Sequence, residues 1–496
     1  MTQRTIGQSE RTDVHVATMT IGGRQVPGSD GASEIINPST ERVVGLMPEA
    51  SAADVAAAAE AASAASRDWA ARPAAERQAL LAAFADLLES RREELAPLIG
   101  AEMGGTGAAF ANAQLGIAVR AFRAASAFPL GSLDETFPLR PAMEGGELSG
   151  VATRKPLGVV AVITAYNAPY VNFSTMGAPA LAAGNTIVVK PAPQDPLGML
   201  AVAGLAAEAG FPPGVINMVS GSSPEVGRAL VADPRVSGIG FTGSATVGIQ
   251  IAKTAAAELK PVLLELGGKG ACVVLDDADL DAAVRTLSLT WQFHSGQICG
   301  VPTRAIVHQS VHDELVRRLA AAASRLKVGP SEDPETVVGP LISAAHRTRV
   351  ESFIESAVTE GATIAAGGAR PALTPGFYAA PTLITGCRPD MRVVREEVFG
   401  PVLAVLSFSD EEEAVALAND TQYGLVNYVF SHDIERARQV ASRLISGTVN
   451  INTFQGGGNG IDEMPFGGRK LSGYGRKGGK HAYEAFTEPV GITVRV

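Results

Sequence analysis

Gly158-Val-Val-Ala-Val-Ile-Thr-Ala-Tyr-Asn-Ala-Pro169 is the stretch on which the fold is decided. Its first half is a β-branched, uncharged run that reads as a strand. Similar runs follow at 186–189, 215–219 and 261–266, with Ala-rich segments of helical character between them. Alternation at this spacing predicts a doubly wound, mostly parallel sheet. The pattern restarts at 271–275 and continues to about residue 430, which predicts a second α/β unit. Upstream, Ala-rich helices fill residues 51 to about 98. Ser51 with Asp54 three residues on predicts a helix cap, and Leu80, Leu81, Phe84, Leu87 and Leu88 mark one apolar helical face. Residues 128–150 hold Gly and Pro without a helical period and read as an extended arm. The 456–460 run reads as a loop.

The bulk numbers fit this outline. A chain of 496 residues is long for one core and predicts two or three domains. With 46% hydrophobic and 19% charged residues it is globular in composition. Lys plus Arg number 41 against 51 for Asp plus Glu, a net charge of -10. That balance argues against nucleic acid or an anionic membrane as a partner, since both require clustered positive charge. The three cysteines, Cys272, Cys299 and Cys387, include no CxxC pair. Neither a disulfide framework nor a metal cluster is expected, and a reducing, cytoplasmic setting fits. The N-terminus has no apolar core of a signal peptide, and 156–171 is too short and too interrupted for a membrane span.

Five stretches can carry chemistry. Gly240-Phe-Thr-Gly-Ser-Ala-Thr-Val-Gly248 follows a strand and opens a helix, where glycines let a backbone approach a pyrophosphate and the helix N-terminus favours its charge. Taken alone it is as readily a plain βα turn. Glu265, in Glu-Leu-Gly-Gly-Lys269, closes an apolar strand; desolvation there raises a carboxyl pKa and suits it to general-base work. Phe293-His-Ser-Gly-Gln-Ile-Cys299 sets a lone cysteine in a Gly-containing turn, a candidate nucleophile. Thiolate is the reactive form, so its surroundings are expected to lower its pKa. A lone cysteine is otherwise a small buried hydrophobe, the reading that suits Cys272 and Cys387; His294 could form a dyad with Cys299. Asn167 can donate a side-chain amide to an oxyanion or be a turn residue. Glu396 and Glu397, in Arg395-Glu-Glu-Val-Phe-Gly-Pro401, have nothing local to mark them.

Together, in order and spacing, Asn167, Lys190, Ser244, Glu265, Cys299, Glu397 and Phe399 resemble the aldehyde dehydrogenase superfamily. So do Val338-Gly-Pro-Leu-Ile-Ser343, Gly376-Phe-Tyr378 with Pro381-Thr382, and Pro465-Phe-Gly-Gly468 with Ser472-Gly473. The likeness runs from about residue 20 to the end. It implies an α/β fold with a Rossmann-like cofactor domain (1–127 and 151–265), an α/β catalytic domain (266–462) and a small β oligomerisation arm (128–150 and 480–496), assembled as a homodimer or homotetramer. It implies that Cys299 attacks the aldehyde carbonyl, that Asn167 and the Cys299 N–H hold the oxyanion, and that Glu265 activates the water that hydrolyses the thioester. Lys190 would meet the adenosine ribose, Gly243 and Ser244 the pyrophosphate, Glu397 the nicotinamide ribose, and Phe399 the nicotinamide of NAD or NADP. No metal is called for.

Three departures matter. Many NAD-using members carry Glu three residues after the lysine; here Pro193 offers neither an acceptor for ribose hydroxyls nor a carboxylate against a 2′-phosphate, so the reading leans to NAD without excluding NADP. Ala168, Thr175 and Met176 replace a bulky residue and a Trp-Lys pair, which widens the substrate tunnel and points to a bulky or aromatic aldehyde. Lys477 occupies the place of a frequent carboxylate partner of that missing lysine. The alternative is a semialdehyde dehydrogenase of amino-acid or polyamine metabolism, with Arg304 as anchor for a distal carboxylate. A CoA-acylating enzyme would lack the base at Glu265, and a catalytically dead relative would have no reason to keep Cys299, Glu265 and Asn167 together.

Overall fold

The run at 158 becomes the strand Val159–Ile163, every residue of it buried, inside an eight-stranded sheet. The computed structural model describes residues 16–454 and 463–496; the N-terminal segment before Val16 and the 456–460 loop lie outside the described residues. Val236–Thr242 and Thr186–Lys190 flank the central strand in parallel, and Val262–Glu265 and Ile216–Met218 extend the parallel block. Continuous apolar runs belong in such a sheet because its crossover helices cover both faces. The edges are antiparallel, with Gly473–Tyr474 at one side and Met19–Ile21 and Arg24–Val26 at the other.

The second unit starts where the sequence pattern restarts, at Gly270–Val274. It is a seven-stranded sheet in which only Thr363–Ala366 runs antiparallel to its neighbour. The fold is thus α/β: a Rossmann-like unit, a second α/β unit, and a small arm. The arm is a three-stranded antiparallel sheet of Glu135–Pro141, Glu147–Pro156 and Thr487–Arg495. Its middle strand runs past the expected boundary at 150, because residues 151–156 pair with 487–492 instead of joining the large sheet.

Local chemistry sets the helices. Ser51 and Asp54 form a capping box, with Asp54 N–H donating to Ser51 Oγ at 3.2 Å and Ser51 N–H to Asp54 Oδ2 at 2.8 Å. Such a cap contributes about 1 kcal/mol. Helix Ala74–Ser90 buries Leu81, Phe84 and Leu88, and Phe84 meets Phe122 and Phe211 edge-on; Leu80 and Leu87 sit at the margin of that face. Among the described residues, no helix is long and apolar enough to cross a membrane.

The register places the site. Four neighbouring parallel strands end in one layer: Ile163 lies opposite Lys190 and Phe241, and Thr242 opposite Glu265. From Glu265 the chain passes through Leu266-Gly267-Gly268-Lys269 straight into the second sheet, whose strands begin there at Gly270 and Pro302. Strand order reverses between Val159–Ile163 and Val236–Thr242. The crevice outside the strand C-termini at such a reversal is where doubly wound sheets bind ligands.

Candidate active site

The turn Gly267-Gly268 organises the cleft. A β-carbon on Gly267 would overlap the Glu397 carboxylate, and one on Gly268 would lie 2.7 Å from the Cys299 carbonyl oxygen. Only glycine permits both approaches. Gly268 N–H donates to Glu397 Oε1 at 2.9 Å. Three residues far apart in sequence, Glu265, Cys299 and Glu397, therefore gather around one turn.

The loop before Cys299 holds its shape by strain and by specific bonds. His294, Ser295 and Gly296 all have positive φ, at 49°, 55° and 78°. Ser295 Oγ donates to the Gly339 carbonyl at 2.9 Å, and Ile342 N–H donates to Gln297 Oε1 at 3.0 Å. Gln297 Nε2 closes back on the His294 carbonyl at 3.2 Å. The Val338-Gly-Pro-Leu-Ile342 stretch is thus the bracket on which the cysteine loop hangs. Cys299 is half-buried and, like Phe454 and Phe466, packs against the core cluster that contains Trp291 and Tyr428. Burial pushes its thiol up to about 12, with Lys477 opposing and Glu397 and Glu265 adding to the rise. This corrects the expectation of a lowered pKa: loss of water around the sulfur outweighs the one nearby cation.

Glu265 is 3% exposed, and its Oε1 has no hydrogen-bond partner among the described residues. Burial lifts its carboxyl to about 7, while Lys477 and Arg476 pull it down. A carboxylate in that range can take up and release protons at neutral pH. A β-carbon on Gly467 would sit 3.0 Å from Oε1, so the Pro465-Phe-Gly-Gly468 segment walls this side of the cleft.

Asn167 is buried in the turn after the central strand, and Gly243 and Ser244 follow the adjacent strand across the reversal point. Ser244 caps helix Ala245–Ala256, accepting Val247 N–H at 3.4 Å. The remaining first-turn N–H groups have no intrahelical partner, which is a ready site for an anion. Gly248 lets that helix lie against the next strand, since its β-carbon would come within 2.6 Å of Leu266. Lys190 is buried at the end of the strand on the other side, its ammonium donating to the Pro191 carbonyl at 3.2 Å. Burial lowers it to about 8, against the pull of Glu49. Tyr166, beside Asn167, meets the Phe399 ring edge-on at 5.9 Å. Phe399 is held at φ 59° with its carbonyl 2.6 Å from His346 Nε2. Burial raises Glu397, and Glu397 adds to the burial that raises the Tyr166 hydroxyl. An anion-ready turn, a buried lysine and an inward carboxylate along one crevice fit an extended dinucleotide.

Other residues turn out differently. Arg304 cannot anchor a substrate carboxylate: it is buried and its guanidinium donates to the carbonyls of Lys269 (3.1 and 3.0 Å), Leu417 (3.0 Å) and Ala418 (2.9 Å). From its own strand, Pro302–His308, it ties the entry of strand Gly270–Val274 to the C-terminal end of helix Glu411–Asn419. Among the described residues His294 makes no dyad with Cys299; both ring nitrogens are buried without a hydrogen-bond partner there, the ring stacks on Phe110 at 4.6 Å, and burial drops it to about 3. Cys272 is buried in its strand and Cys387 Sγ faces the Ile384 carbonyl at 3.6 Å. Glu396 points to solvent beside Arg392 while Glu397 turns inward, a split that two adjacent acids do not announce. Residues that the sequence did not single out are Tyr166, Gln297, His346 and Asn172. Asn172 lies one turn after Ala168, buried in an uncharged helix with its Nδ2 without a partner among the described residues, and its being the one amide side chain of that helix is the available signal.

A profile of the aldehyde dehydrogenase family matches residues 26–491. The chain is 37% identical to a mitochondrial aldehyde dehydrogenase of Leishmania tarentolae over 95% of this chain and 93% of that one. It is 39% identical to a betaine aldehyde dehydrogenase of Bacillus subtilis, covering 92% of each. Among solved structures, a Staphylococcus aureus betaine aldehyde dehydrogenase variant, crystallised with NAD+, superposes with TM-score 0.91 at 36% identity, covering 97% of this chain and 96% of that one.

Proposed function

Because the chain belongs to the aldehyde dehydrogenase family and is an NAD(P)-dependent enzyme of that kind, we propose that it oxidises a bulky or aromatic aldehyde to the acid through a thioester on Cys299. The observation that carries this reading is the meeting of Cys299, Glu265 and Glu397 around the Gly267-Gly268 turn. Cys299 Sγ adds to the carbonyl carbon and gives a thiohemiacetal; Asn167 and the Cys299 N–H hold the oxygen. Such a donor is worth about 3 kcal/mol of barrier. When bound, the nicotinamide supplies one chemistry, acceptance of the hydride that leaves the thiohemiacetal carbon. Glu265 then draws a proton from water as it attacks the thioester, and the acid leaves as Cys299 recovers its sulfur.

Lys190, Gly243, Ser244, Glu397 and Phe399 are the residues that would hold the cofactor. The Pro193 side chain presents no carboxylate to repel a 2′-phosphate and no acceptor for a ribose hydroxyl, so preference rests on smaller terms, and we favour NAD.

The substrate reading rests on Ala168, Val171 and Thr175. They keep partial exposure along one stripe, from the N-cap Ala168 into helix Pro169–Ala183, which is otherwise nearly all buried, and all are small or medium-sized. The stripe begins beside Asn167, where a channel to Cys299 would open. An aldehyde panel assayed in parallel with NAD and NADP tests this: benzaldehyde-type substrates should give a higher kcat/KM than acetaldehyde. Ala168→Phe with Thr175→Trp should reverse that order by about tenfold or more, the scale of one to three kcal/mol of pocket contact. An unchanged order would remove the stripe from the specificity argument.

The arm supports a homo-oligomer. Val490, Ile492 and Val494 are exposed on alternate positions of one strand face, and Phe137 and Leu139 are exposed on the sheet's outer strand. Contiguous apolar exposure of this kind marks an interaction surface. Light scattering should find a dimer or tetramer, and Ile492→Asp with Val494→Asp should lower its mass to a smaller species. An acidic chain with three free cysteines also suits a reducing cytoplasm.

A further inference from the structure

A positive charge would favour the ionised forms of the half-buried Cys299 and the buried Glu265, and the helix that follows Asn167 brings none. Helix Pro169–Ala183 carries no charged residue, and Met176 on it is buried, with its Sδ against the backbone at Gly240. The charge comes from the opposite wall. Phe466 and Lys477 exchange backbone hydrogen bonds, Phe466 N–H to the Lys477 carbonyl at 2.7 Å and Lys477 N–H to the Phe466 carbonyl at 2.8 Å. That bridge is one residue from Gly467, which abuts Glu265 Oε1, and Phe466 and Cys299 both pack against the same core cluster of the second sheet. The Lys477 ammonium lies 5.3 Å from the centre of the Phe466 ring. It makes no hydrogen bond or ion pair with any described residue. Arg476 next to it is occupied instead, donating to the Gly468 and Gly475 carbonyls at 2.8 and 2.6 Å.

We propose that Lys477, seated on the Phe466 ring, is the positioning charge for the reacting pair: it favours the Cys299 thiolate and keeps Glu265 ionised, from the C-terminal wall of the cleft. The charged groups facing Cys299 are Lys477, Glu397 and Glu265, and of these Lys477 alone opposes the rise in the thiol's pKa. Those facing Glu265 are Lys477 and Arg476. An aromatic face holds an ammonium without neutralising it, which leaves the charge available to the sulfur. The proposal rests on Cys299 being the nucleophile.

The test is the pH dependence of Cys299 alkylation by iodoacetamide in the full-length enzyme, with and without NAD, the labelled residue located by peptide mass spectrometry. A cation lowers the pKa of a neighbouring acid, so its removal must shift ionisation to higher pH. Lys477→Met should move the alkylation profile up by about one pH unit, which is about tenfold slower labelling on its rising limb. The rising limb of kcat against pH, set by Glu265, should move the same way. Lys477→Arg should keep both profiles within about threefold of wild type. If Lys477→Met fails to fold, Lys477→Gln and Lys477→Glu replace it, and Lys477→Glu should shift furthest. Superimposable profiles for the wild type and a folded neutral variant would overturn the proposal. Labelling that spares residue 299, or that labels it without loss of activity, would instead overturn the underlying assignment of the nucleophile.

Discussion

Replacing Cys299 with alanine abolishes aldehyde-dependent NADH formation, lowering kcat by roughly 10⁴-fold or more. The size follows from what is lost. Without the sulfur there is no thiohemiacetal, and no other described side chain stands where it could replace it: His294 is turned into Phe110, and Cys272 and Cys387 lie in a strand and beyond one in the second sheet. The variant should fold normally, because Cys299 is half-buried and its loop is held by Ser295, Gln297 and the 338–342 bracket, not by the thiol. It should also still bind cofactor, since Lys190, Ser244 and Glu397 are untouched. Steady-state NADH formation and cofactor titration by fluorescence check the two halves separately. Cofactor binding lost together with activity would point to a collapsed cleft.

The second large effect is at Glu265. Glu265→Gln should cut steady-state turnover by roughly 10² to 10⁴-fold, the usual worth of a general base, while a first-turnover burst of NADH survives. The burst survives because the base acts after the hydride has left. The same carboxyl gives the wild type its pH dependence. Burial lifts it to about 7, and the base works only when deprotonated. Activity should therefore rise as pH climbs through about 7, and the rising limb should disappear in Glu265→Gln. Stopped-flow absorbance across pH 5.5–9 measures both. A variant with neither burst nor turnover would place Glu265 earlier in the reaction.

Much of this was legible before the structure. The apolar run at 159–163 reads as a strand and is a fully buried one, and Ser51 with Asp54 predicts the capping box that forms there. The motifs gave the order of the site residues because each sits at a strand end or a turn, where spacing along the chain is fixed. What the chain could not show is how the second sheet folds back. The convergence of Glu397 on Gly267-Gly268 depends on packing between distant strands, and so does the choice between Glu396 and Glu397. Electrostatics is the least legible in the sequence. The Cys299 thiol was expected to be lowered and is raised to about 12, because burial is a property of the fold and not of the loop. Arg304 reads as a free cation near the nucleophile until its four hydrogen bonds to carbonyls are seen.

The thioester is the centre of the account, and trapping it is the most direct test. Glu265→Gln mixed with benzaldehyde and NAD, quenched in acid within the burst and digested, should yield the Cys299 peptide heavier by one benzoyl group in place of a hydrogen. That mass should be absent without NAD and absent in the Cys299→Ala, Glu265→Gln double variant. NADH formed in the burst with the Cys299 peptide unmodified, or with the acyl group on another residue, would contradict it.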